Sequence, residues 1–420
     1  MECDDKRVLQ LNIKDVLLFA AIVLIPIQDF FLYKTSLHSF GRYLSNVPLT
    51  FLTFYCLFEL CFYKKCSRSY FYKYSLGFIY FVVWSLIMSA WTGTDLEFSV
   101  RKTVSQGIVF LYCVIFYECS KNSSIVYSAI NYAFIVNFFG FVLCDLLGVI
   151  TEGVFHSVTY GEISRFQGLT PEASWFCFTS AVLGMLVVWS NTSNTYRMIV
   201  ASVTLYIVSC GGSKGTLICC FLTLLLYIST CTKMKTKYRL LLLFIGIVMS
   251  VVVADLYLIY AISTDLTDAT SFSTRCALDI AYLITFFYYP LGTGVSGAIT
   301  IVTQNARGAF DLLQENVPMI VLKDRELLES ISRPDGSGVL VANMFLIMLC
   351  YFGVVFLVIF MKKFINARRL LLQNNDFFLY YILLFVIIGN MTYANFGYES
   401  IIMFSIIAKE KMRRINNEKI

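Results

Sequence analysis

Long apolar runs alternate with polar breaks along almost the whole chain. They fall at 15–33, 47–63, 74–91, 104–118, 127–150, 172–190, 198–210, 214–230, 240–262, 339–361, 377–391 and 394–408. A tilted helix needs about 17 to 25 apolar residues to cross a bilayer, and most runs reach that length. Lipid gives the backbone no hydrogen-bond partner but itself, so each run predicts a helix. The runs 198–210, 377–391 and 394–408 are short and fit a re-entrant or broken helix as well. The expected fold is an all-α polytopic integral membrane protein with about twelve transmembrane helices.

One polar segment is long, Ser263 to Gly338. The chain thus reads as a single membrane domain, 1–420, with a large loop at 263–338 and a smaller one at 151–171. Within the large loop, 273–289 predicts a helix with enough apolar residues to lie on the membrane surface. The segment 319–332 predicts a second, shorter helix. No internal repeat is evident, which counts against an inverted-repeat transporter.

Composition agrees with the pattern. Hydrophobic residues make up 58% of the chain and charged residues 14%, where a soluble domain carries about 25%. The basic residues set the expected orientation. With twelve crossings, the clusters at Lys64–Lys73, Lys233–Arg239, Lys362–Arg369 and Lys409–Lys419 share a side with Lys6, Arg7, Lys14, Lys121 and Arg197. That side holds 22 of the 33 basic residues. Both termini are expected in the cytoplasm, and both loops outside. The net charge of +6 is largely this bias, and it suits an anionic lipid leaflet rather than nucleic acid. The first run follows a charged stretch without a small-residue cleavage site and reads as a retained helix.

The chemistry-bearing residues are few. Most of the fourteen cysteines lie inside runs, where they act as small apolar residues, and no structural disulfide is expected. His38 and His156 are the only histidines, and no metal-ligand spacing appears. Arg165, Lys214 and Arg275 are outward cations beside glycine or hydroxyl residues. Such groups bind phosphate, arginine by a planar fork and lysine as a point charge. Lys214 lies in Cys210-Gly-Gly-Ser-Lys-Gly-Thr216 at the start of a run, where backbone N–H groups can meet an anion. It equally fits a lysine reaching the interface from a helix end. Arg165 equally fits a solvated loop residue, and Arg275 a pair with Asp279 one helical turn on. Glu172 follows Pro171 and opens a run. It fits either a helix cap or a general base at the membrane surface. Asp145, Asp255 and Glu59 sit near the ends of runs, where they can reach water.

Three stretches carry a resemblance. They are Arg165-Phe-Gln-Gly168-Leu-Thr-Pro-Glu172, Ser209-Cys-Gly-Gly-Ser213-Lys214-Gly-Thr216, and Arg275 followed by Pro290-Leu-Gly292-Thr-Gly294. In order and topology they resemble the O-antigen polymerase and ligase superfamily, polytopic glycosyltransferases of the bacterial inner membrane. The architecture is similar to that of GT-C-type glycosyltransferases. The resemblance implies donors and acceptors that are oligosaccharides and polysaccharides on undecaprenyl diphosphate, with no cofactor. It also implies contact with membrane lipid and a chain-length regulator as a membrane partner. It puts Arg165, Lys214 and Arg275 at the lipid diphosphate. The family often has arginine where Lys214 stands.

Ligases of this superfamily carry a His-Asn pair, nine residues and a glycine after the long loop. Here Asn343 and Gly353 match, but Ala342 replaces the histidine. That favours a polymerase and leaves the base open between Glu172 and Asp335. A ligase and a flippase or other transporter remain as alternatives.

Overall fold

The computed structural model describes residues 12–28, 42–62, 68–147, 166–170, 172–211, 213–230, 270–316, 324–333, 336–341, 343–392 and 397–417. It also describes isolated positions at 40 and between 236 and 244. Among the described residues there are helices and no strands. In chain order they are α1 (Ile13–Val23), α2 (Asn46–Phe62), α3 (Arg68–Trp91), α4 (Leu96–Asn122) and α5 (Ile125–Gly140), which continues into a π turn, Phe141–Leu146. Then come α6 (Ala173–Ser190), α7 (Asn194–Cys210), α8 (Lys214–Thr230), α9 (Thr270–Tyr288), α10 (Gly294–Asn316) and α11 (Arg325–Ser332). The last are α12 (Met344–Gln373), α13 (Phe377–Thr392) and α14 (Tyr398–Asn417).

Among the described residues, five stretches are long and apolar enough to cross a membrane: Tyr74–Trp91, Leu96–Asn122, Ile125–Leu146, Ala173–Ser190 and Met344–Gln373. Two shorter apolar helices, Gly215–Thr230 and Phe377–Thr392, accompany them. The protein is therefore an all-α, membrane-embedded protein.

The chain folds as two compact units. The first holds Met1–Phe71, Leu111–Thr216 and Tyr398–Ile420. Here α1 packs on α2 and α5, α5 on α6, and α6 on both α7 and α14. Leu18, Ala21 and Ile22 of α1 and Ala129, Ile130 and Ala133 of α5 are buried at helical spacing. Glu59 does not simply reach water, as its position suggests. It forms an ion pair with Lys14, so a charge on α2 is matched by one on α1.

The second unit holds Tyr72–Phe110 and Leu217–Gly397. Its core is built by α9, α10, α11 and α12. Residues 294–316, read from sequence as part of a polar loop, form α10. Val295, Ala298, Ile299, Val302, Ala306, Ala309 and Phe310 make its buried stripe. The threonines, Asn305 and Arg307 dilute that stripe too far for mean hydropathy to mark it. The apolar face of α9 is also reassigned. Ala277, Leu278, Ala281 and Tyr282 are fully buried in this protein core, not turned to a membrane surface. Among the described residues of α9, Leu283, Phe287 and Tyr288 leave large apolar side chains exposed.

Candidate functional site

In the first unit, the segment 166–170 is held from three sides. The Asp145 carboxylate accepts the backbone N–H of Gln167 at 3.0 Å through Oδ1 and that of Gly168 at 2.8 Å through Oδ2. Asp145 thus organises the turn rather than merely facing solvent. Phe166 packs edge-on against Phe141 at 5.1 Å, and Phe141 stacks on Phe176 at 6.2 Å. Gly168 has φ +55, and a Cβ there would lie 2.5 Å from the Phe176 ring. Only glycine tolerates both that backbone and that proximity.

Glu172 is the N-cap of α6 by its backbone. Its carbonyl accepts the N–H groups of Trp175 and Phe176, each at 3.1 Å. Its side chain makes no capping hydrogen bond. A carboxylate at this position still suits the positive end of the helix dipole. Lys214 is the first residue of α8. One position earlier, the buried Ser213 hydroxyl accepts the Thr216 N–H at 3.2 Å and so caps that helix. Arg165 and Asp335 lie outside the described residues, as do Asp255 and both histidines.

Arg275 belongs to the second unit, on α9. Asp279 follows one turn later, on the same side of the helix. Asp279 Oδ1 accepts the backbone N–H of Asn343 at 3.1 Å. The Asn343 side chain then does two things. Its Oδ1 accepts the Leu346 N–H at 3.2 Å, capping α12, and its Nδ2 donates to the Met391 carbonyl at the end of α13. One residue therefore joins α9, α12 and α13. Burial pushes the Asp279 carboxyl up to about 6; the Asn343 N–H and the Arg275 charge act in the opposite direction. Burial wins because removing a carboxylate from water costs more than one hydrogen bond and one neighbouring charge return.

Below this corner α12 is broken. Gly353 has φ 60 and ψ −147, outside helical values. The hydrogen bonds lost at the break are replaced by the segment after α9. Cys350 O accepts the Thr293 N–H at 2.7 Å, and the Val354 N–H donates to Pro290 O at 2.8 Å. Broken helix backbone at membrane depth must find partners in protein, and here it does. The two sequence motifs, Pro290-Leu-Gly292 and Asn343 with Gly353, are thus one interlocked feature. A Cβ on Gly292 would lie 2.6 Å from Tyr351 O and 2.7 Å from Gly353 N.

Sequence reasoning treated Asp279 only as a partner for Arg275. The signal it had was the four-residue spacing. The Asn343 contact, 64 positions away, was invisible to it. It also passed over Glu399, which lies in the first unit inside the run 394–408. Glu399 is 1% exposed. It accepts a hydrogen bond from Thr179, whose hydroxyl also accepts one from the buried Gln28 amide at 3.4 Å. Among the described residues neither Glu399 Oε2 nor Gln28 Oε1 has a partner.

The chain is 24% identical over 218 residues to a Klebsiella pneumoniae protein described as an uncharacterized 49.5 kDa protein in cps region. The match covers 50% of this chain and 49% of that protein. No family model matches the chain, and no solved structure matches it.

Proposed function

We propose that the protein polymerises undecaprenyl-diphosphate-linked O-antigen repeat units at the periplasmic face of the bacterial inner membrane. The coarser part of this reading, a role in polysaccharide biosynthesis, is supported by the relative from a cps region. The observation that carries the finer part is the interlock of α9, the Pro290-Leu-Gly292 segment and the Gly353 break. Two motifs that resemble the superfamily, found separately in sequence, meet just past the end of α9, the helix that carries Arg275.

In this reaction the bond between the anomeric carbon and a diphosphate oxygen breaks, and a sugar hydroxyl takes its place. A diphosphate leaves readily once cations neutralise its developing charge. We assign that work to Arg165, Lys214 and Arg275. The hydroxyl also needs a group to take its proton. Glu172 and Asp335 are the candidates from sequence. A chain-length regulator is the expected protein partner.

Glu399 favours a second reading. A carboxyl buried among apolar helices is a common feature of transport pathways. The lipopolysaccharide gel of a deletion strain separates the readings. A single repeat on core is the expected result. Bare core with lipid-linked polymer would instead indicate a ligase, and bare core without a periplasmic intermediate a flippase.

A further inference from the structure

We propose that Asp279 is the base of this reaction, receiving the proton of the attacking sugar hydroxyl; the assignment rests on the polymerase reading above. Two observations carry it. First, Arg275 and Asp279 are one turn apart on α9, both half-buried. A cation for the leaving diphosphate and an acceptor for the incoming hydroxyl's proton are both needed at one anomeric carbon, and this helix face offers both. Second, Asp279 is fixed from across the fold. Its Oδ1 takes the Asn343 N–H at 3.1 Å, and Asn343 is itself tied to α12 and α13. A base held this way pays little to orient.

The acidity fits the task. An ordinary aspartate is a weak base, with a pKa near 4. Burial raises Asp279 to about 6, which makes it a better proton acceptor yet leaves it mostly ionised near neutral pH. Among the described residues Arg275 is the charged group that acts on it, and the carboxylate in turn pushes up Cys276 and Tyr282, all on α9. From the facing side comes the Asn343 backbone N–H.

The step balances without a co-reactant. The hydroxyl oxygen forms a bond to the anomeric carbon as the carbon–oxygen bond to the diphosphate breaks. The electron pair of that bond leaves with the diphosphate, beside Arg275. The hydroxyl proton passes to Oδ2 of Asp279, and from there to water.

The test uses membranes carrying the full chain, supplied with lipid-diphosphate-linked repeat units, and reads initial rates of chain extension from about pH 5 to 8. Asp279→Asn keeps an oxygen for the Asn343 N–H but accepts no proton. It is expected at the wild-type level in the membrane with a loss of about 100-fold or more. The wild-type rate is expected to rise with pH through an inflection near 6, and the residual rate of Asp279→Asn to lack it. Wild-type rates in Asp279→Asn would overturn the assignment. So would loss of the inflection in Glu172→Gln with Asp279→Asn fully active, which would make Glu172 the base. If Asp279→Asn accumulates poorly, the wild-type profile decides, and a flat one overturns the proposal. Absence of any extension by the wild-type protein would instead refute the polymerase reading itself.

Discussion

Val354 donates its backbone N–H to the carbonyl of Pro290 at 2.8 Å, in place of the Cys350 carbonyl one helical turn earlier. This exchange makes the Gly353 break stable. It needs glycine at 353, because φ is positive there and a Cβ would run into the Pro290–Gly292 backbone. Gly353→Ala is therefore expected to cost at least about 1–3 kcal/mol from backbone strain alone. Its level in the membrane and its thermal midpoint in detergent should both fall. Leu291→Ala, at an exposed neighbouring position, should leave both unchanged. An unaltered midpoint for Gly353→Ala would contradict the interlock.

The diphosphate assignment concerns charge and shape. Arg165→Ala, Lys214→Ala and Arg275→Ala are each expected to reduce chain extension strongly at normal protein level. Lys214→Arg should retain activity, since the charge is kept. Arg275→Lys should not, if the guanidinium grips two oxygens at once. Full-length polymer from all three alanine variants, seen on a lipopolysaccharide gel, would remove the site.

Asp279 carries a stability signature independent of turnover. Its folded pKa of about 6 is raised above the ordinary carboxylate value. The folded state therefore binds the proton more tightly than the unfolded one. Its contribution is most favourable below the unfolded pKa and is lost as pH rises through the folded pKa. Asp279→Asn does not titrate. Its thermal midpoint should match the wild type at about pH 4 and exceed it by a few degrees at neutral pH. A midpoint difference that does not change with pH would count against a raised carboxyl.

Asp145 and Glu399 make different demands on the first unit. Asp145→Ala leaves the Gln167 and Gly168 N–H groups without their acceptor. A loss of about 1–3 kcal/mol is expected, and Asp145→Asn should recover part of it. Glu399→Ala likewise removes the acceptor of the Thr179 hydroxyl, at a similar cost of about 1–3 kcal/mol. Glu399→Gln keeps an oxygen for Thr179 and nearly the same volume, so its midpoint should stay close to the wild type. Denaturation in detergent checks all four, and a stable Glu399→Ala would show that the contact contributes little.

Much of the helical layout could be read from the chain alone. The runs 74–91, 127–150, 172–190 and 214–230 end within a few residues of α3, α5 with its π turn, α6 and α8. In lipid the backbone must satisfy itself locally, so a run of apolar residues dictates a helix whatever lies beside it. The glycines at 168, 292 and 353 could also be singled out, but not their reasons. Those are the Phe176 ring behind Gly168 and the backbone contact of Gly292 with Gly353. The helix α10 required its partners too, because its buried stripe is made of alanines and short aliphatics that become apolar surface only when α9 covers them. The same limit applies to the carboxylates. Glu172, Asp279 and Glu399 are alike in sequence. What separates them is desolvation and the hydrogen bonds from Asn343 and Thr179, both set by residues distant in the chain. Tertiary structure alone decides which carboxylate is buried and what it faces.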